Sequence, residues 1–123
     1  MIEQTVAKLN RYFEDRIAAC RRRQMELLAD DRSDEARFEK ISANIYSLFQ
    51  TLLALAVELH RDDEKAARRF FVQRLEEFPS DWAAAYELAR QRDNLIMQLV
   101  EKTKLDTVDE IKEYFAIVWE EAE

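Results

Sequence analysis

"IYSLFQTLLALAVELHRDD", residues 45–63, is the stretch on which the fold turns. Its first fifteen residues, up to Leu59, hold four clearly polar side chains: Ser47, Gln50, Thr51 and Glu58. Charge then begins abruptly, with the chain's one histidine, His60, at the junction. Reading outward, Phe38, Ile41, Ile45, Leu48, Leu52, Leu55 and Leu59 recur at alternating steps of three and four, a helical seam. A second stripe of Tyr46, Phe49, Leu53 and Val57 runs beside it. A helix apolar over so wide an arc needs neighbours on more than one side. This helix is therefore predicted to be the centre of the core, covered by other helices or by a partner subunit. The segment from Ile41 to Leu59 approaches membrane-span length. Ser42, Asn44, Ser47, Gln50, Thr51 and Glu58 interrupt it, so the reading is a buried helix and no membrane association.

The rest of the chain is consistent with this. There is no glycine and one proline, Pro79. Tight hairpins, phosphate-cradling loops and dinucleotide folds draw on glycine for positive φ, so β-rich and nucleotide-loop folds are disfavoured. Polar joints at "ADDRSDE", "HRDDEK", "FPSDW" and "KLDTVDE" predict five helices, over roughly 2–29, 33–60, 63–78, 81–103 and 108–121. The fold class read from the sequence is all-α, a compact single-domain bundle of four to five helices. Asp31 or Ser33, Asp62, Ser80 and the pair Thr107 with Glu110 stand where helix caps belong. Without glycine, helix ends are predicted to avoid tight left-handed turns and to use asparagine, water or shared turns. Ala67, Phe71 and Pro79 match the tail of a tetratricopeptide repeat, but no second copy of the pattern follows, and a plain helical hairpin accounts for it.

Charge and chemistry bound the function. The formal net charge is −7, from 19 basic and 26 acidic residues, and it is unevenly spread. Residues 1–29 hold six bases against four acids, while residues 107–123 hold one base against six acids. An acidic chain disfavours nonspecific binding to nucleic acid or anionic lipid. A lone cysteine, Cys20, and polar residues after Met1 point to a reducing, cytoplasmic setting. His60 with Glu58, Asp62 and Asp63 is the densest set of potential metal ligands, but Glu58 and His60, two apart, face different sides of a helix. The carboxylate pairs Glu35 with Glu39 and Glu58 with Asp62 are four apart. They keep a metal-dependent all-helical hydrolase as the third reading. Cys20 lies on an apolar stripe, where a thiol is usually inert.

Arg21, Arg22 and Arg23, with Arg16 near them, form a candidate basic patch. It makes a nucleic-acid-binding regulator the second reading. The four acids at Asp30, Asp31, Asp34 and Glu35 follow directly, and a solvated, ion-paired face explains the arginines as well. The first reading is a non-enzymatic module for protein–protein contact. It is expected to form a homodimer or bind another protein, with Tyr46, Phe49, Leu53 and Val57 as the interface and no cofactor. Trp82, placed in the first turn of the fourth helix, and Trp119 are expected to anchor the core. Glu120, Glu121 and Glu123 are expected to meet the arginines of the first helix. Asn44, Gln50, Thr51 and Arg92 with Asn94 are expected to set helix register or simply to stand exposed, with the lining of a pocket as the alternative.

Overall fold

The structure, a computed structural model, describes the backbone of residues 2–122 and the side chains of residues 2–119. Among the described residues it is all-helical, with four helices: α1 (Ile2–Ala29), α2 (Ser33–Leu59), α3 (Glu64–Gln91) and α4 (Leu95–Ala122). Five were predicted at the upper count, and the difference has two causes. Pro79 does not end a helix but lies inside α3. An internal proline removes one ladder hydrogen bond, here to the Leu75 carbonyl, and costs about 3 kcal/mol relative to alanine. Packing overrides that cost. Phe78 sets its ring edge-on to Phe49 at 6.0 Å and tilts against Trp82 at 6.2 Å, pinning the segment to the core. "KLDTVDE" is no joint either. Thr103 and Thr107 donate their hydroxyls back to the carbonyls of Leu99 and Thr103, at 2.7 and 2.8 Å. Lys102 pairs with Asp106 one turn on, at 3.2 Å. The polar side chains thus find partners on the helix itself and do not interrupt it.

The true break falls at Arg92–Asn94, and it contradicts the expectation that tight left-handed turns would be avoided. Asp93 stands at φ 54°. The Asn94 N–H reaches the Ala89 carbonyl at 2.9 Å, and the Asp93 N–H reaches that of Arg90 at 3.2 Å. This is the paired hydrogen bonding of a Schellman turn, with aspartate in the place glycine usually holds. The α1–α2 turn repeats it. Asp31 stands at φ 59°. Arg32 N–H bonds Leu27 O at 2.8 Å, and Asp31 N–H bonds Leu28 O at 3.2 Å. Aspartate is among the few residues that tolerate this region.

The caps move accordingly. Asn94 accepts from the Met97 N–H at 3.1 Å and so starts α4 while closing α3. Asp63, not Asp62, accepts from the Ala66 N–H at 3.0 Å. At the start of α2 the cap position is Arg32, with no side-chain cap from Asp31 or Ser33. Ser80, Thr107 and Glu110 lie within helices.

The helices run up, down, up, down. Both α2 and α4 pack against all the others. Phe13, Phe49 and Phe71, fully buried, fill the middle with Leu9, Leu53 and Ile111. Each such side chain contributes about 1.5–3 kcal/mol by leaving water. The second stripe of α2 is the more deeply covered, though Ile45 of the main seam is buried too. Tyr46, Phe49 and Leu53, read as secondary, are 1%, 0% and 1% exposed. Leu55 and Leu59 on the main seam are 39% and 58% exposed. The small residues Ala43 and Ala56 share the aromatic face and let neighbouring helices close on it.

By length and composition α2 could also cross a membrane, but its aromatic face is packed against helices of the same chain.

Candidate functional site

A polar cluster joins α1, α2 and α4. Tyr46 is buried on α2, and its hydroxyl donates to Glu110 Oε2 on α4 at 2.6 Å. The same hydroxyl accepts from Arg16 Nε on α1 at 3.3 Å. Arg16 also lies over the Tyr46 ring, 5.5 Å from its centroid. One turn away, Tyr12 stacks on Tyr114 with ring centroids 4.1 Å apart, closing α1 on α4. Thr107 and Ser42 hydroxyls meet at 3.2 Å. A cleft of about 250 Å³ opens here, lined by Arg16, Cys20, Glu39, Ser42, Tyr46 and Glu110 among others.

The electrostatics suit a fixed network more than a reaction. Burial, followed by the hydrogen bond to Glu110, pushes the Tyr46 phenol far above its ordinary value. Its proton stays on oxygen and is committed to Glu110. Burial, with Glu39 adding to it, pushes the Cys20 thiol up to about 11. At neutral pH that group is a thiol and a poor nucleophile. A polar network with its members satisfied fixes the register of the helices that carry it.

The residues singled out in the sequence are dispersed. His60 is in the α2–α3 turn, its ring tilted against Phe70 at 5.9 Å. Fourteen residues of α2 separate it from Tyr46, about 21 Å of helix. Among the described residues, no group of three or more His, Cys, Asp or Glu side chains is placed to hold a metal ion. The basic patch is split. Arg16 turns into the polar cluster, Arg23 pairs with Glu26 at 3.4 Å, and Arg21 and Arg22 stand exposed.

Of the four expected interface residues, Tyr46, Phe49 and Leu53 are covered within one chain. Val57 is half-buried beside a shallow cleft of about 540 Å³ shared with Ile2, Val6 and Arg61. Thr51 is exposed and donates to the Ser47 carbonyl at 3.1 Å, Asn44 is exposed, Gln50 is half-buried, and Arg92 closes α3. Trp119 is buried at 2% and Trp82 half-buried in mid-α3. Glu120, Glu121 and Glu123 lie outside the residues whose side chains are described.

Sequence reasoning missed the Tyr46–Glu110 pair, because Tyr46 reads as one more apolar position and Glu110 as a cap. It also missed the exposed apolar residues at the α3–α4 turn: Leu88, Leu95, Ile96 and Leu99, 46–71% exposed. "NLIMQLV" (residues 94–100) was the available signal, an apolar run at a helix start. No protein-family model, curated protein or solved structure matches the chain.

Proposed function

We propose that the chain is a non-enzymatic helical module for protein–protein contact that self-associates, as a dimer, in the cytoplasm. The observation that carries this is the gathering of exposed apolar side chains at one end of the bundle. The Ser42–Thr107 and Tyr46–Glu110 contacts make α2 and α4 parallel, so the α1–α2 and α3–α4 turns share that end. Met25 and Leu28 of α1, Leu88 of α3, and Leu95, Ile96 and Leu99 of α4 are 46–72% exposed there. A cluster of large apolar residues facing water marks a contact surface, whereas scattered ones need no explanation. On this reading α2 is the central strut, its aromatic face holding the other helices, and the contact surface lies outside it. The single thiol supports the cytoplasmic setting.

The other readings have less support. With Arg16 and Arg23 engaged inside the chain, Arg21 and Arg22 alone make a thin basic footprint beside four acids. For a hydrolase, Glu35 is tied to Arg32 by two hydrogen bonds, at 2.5 and 2.6 Å. Light scattering over about 1–100 µM tests the proposal, a range that brackets a micromolar association. A mass rising toward two chains is expected, and a single-chain mass throughout overturns it.

A further inference from the structure

We infer that the C-terminal half of α1 is the dimer contact, with Met25 of each copy on Leu28 of the other and Arg22 of each on Asp31 of the other. This rests on the self-association proposed above and names its surface and its occupant, a second copy of this chain. Met25 and Leu28 are 72% and 52% exposed. Three residues apart on a helix, they share a face, and Arg21 and Arg22 lie one turn before Met25 on the same side. Asp31 follows Leu28 by three residues. Its backbone is fixed by the Schellman turn, through the bonds of Asp31 N–H to Leu28 O and Arg32 N–H to Leu27 O.

The charges near this face divide into engaged and unengaged groups. Arg23 is taken by Glu26, and Arg32 by Asp30 and Glu35. Among the described residues, Arg21, Arg22, Asp31 and Asp34 have no ion-pair partner. The free bases thus precede the apolar pair and the free acids follow it.

A two-fold contact uses the same patch on both subunits, so whatever stands before the axis on one copy meets what stands after it on the other. Arg22 stands three residues before Met25, about 4.5 Å of rise, and Asp31 stands just past the end of α1, in the turn that follows Leu28. An axis that seats Met25 on the partner's Leu28 runs α1 antiparallel to its copy, so the basic end of each patch lies toward the acidic end of the other, where Arg22 and the partner's Asp31 are the proposed pair. A patch that is basic, apolar and acidic in turn complements itself run antiparallel. A phosphate backbone would meet Asp30, Asp31 and Asp34 as well as the arginines. A wholly acidic or wholly basic partner would likewise be opposed by half of the patch. The contact is small, so the association is micromolar in class and salt-sensitive, because exposed pairs are screened.

Sedimentation velocity on the full chain and its variants tests this, with circular dichroism confirming that each remains helical. Arg22→Glu is expected to weaken association at least about tenfold, through two like-charge contacts per dimer. Asp31→Asn, which keeps the tolerance for positive φ, weakens it less. Arg22→Glu with Asp31→Lys restores it to within about threefold, because the pair is remade with its sign exchanged. Met25→Lys abolishes it. If the wild-type chain dimerises and these variants do too, while Leu95→Lys with Leu99→Lys is monomeric, self-association stands and the α1 contact is overturned. A wild-type chain that stays monomeric overturns both.

Discussion

The Tyr46 hydroxyl donates to Glu110 at 2.6 Å, and this one bond ties two parallel helices that are not neighbours in sequence. With the Ser42–Thr107 contact it sets register, since the backbone connects α2 to α4 only through the intervening helix and two turns. Tyr46→Phe leaves the ring in place and removes the donor. The expected loss is about 0.5–1.5 kcal/mol, the usual net value of one such bond. Urea unfolding measures it. A loss near zero would mean that Glu110 finds Arg16 or water equally well.

Alkaline pH should weaken the fold in two stages. The Cys20 thiol has its pKa raised from 9.0 to about 11 by burial. A group whose folded pKa is raised contributes its stability fully below the unfolded value and loses it as pH rises toward the folded value. Stability should therefore be flat through neutrality with respect to this group and fall between about pH 9 and 11. Tyr46, raised from 10.0, adds a further fall above pH 10. In a series of urea midpoints, Cys20→Ala should remove the first component and Tyr46→Phe the second. A profile unchanged by either substitution would contradict the assignment.

Pro79→Ala should stabilise the chain by about 1–3 kcal/mol, since alanine restores the bond to the Leu75 carbonyl inside a continuous helix. Ser80→Ala should be neutral. If Ser80 capped a separate helix, its loss would cost about 1 kcal/mol, so this pair of variants separates a continuous α3 from a broken one.

Asp93→Gly should stabilise by about 0.5–1 kcal/mol, because the position holds φ 54° and a side chain there is strained by its own Cβ. Thermal unfolding reads the shift, and a lower midpoint for the glycine variant would contradict the turn geometry.

The two tryptophans should separate in cost. Trp119, buried at 2%, should lose about 3–5 kcal/mol on replacement by alanine. Half-buried Trp82, whose ring also meets Lys104 at 5.9 Å, should lose less. Equal losses would mean that the two rings share one environment.

Helix class and the extents of α1 and α2 were legible, because periodicity and the absence of glycine point the same way. Val108, Ile111, Phe115 and Val118, at steps of three and four, are buried along α4 by the same periodicity. The second half of the chain was cut in the wrong places. Pro79 and "KLDTVDE" look like local stops, and only tertiary packing and hydroxyls bonded back along the helix reveal that they are not. The real stop, Asp93 with Asn94, has no glycine to announce it. The Tyr46–Glu110 bond spans 64 positions, and no local pattern encodes such a pairing. The exposed face of α1 was half legible. Its arginines were seen, but whether Met25 was covered depended on where the other helices lay.

Self-association is tested most directly by a mixed sample of isotope-labelled and unlabelled chains at a concentration where light scattering shows a dimer. Filtered nuclear Overhauser spectra of that sample report only contacts between copies. Cross-peaks are expected from the Met25 methyl group to the Leu28 methyl groups, which α1 presents to solvent within one chain. Cross-peaks confined to Leu95, Ile96 and Leu99 would contradict the α1 contact, and no cross-peak between copies would contradict the proposed self-association itself.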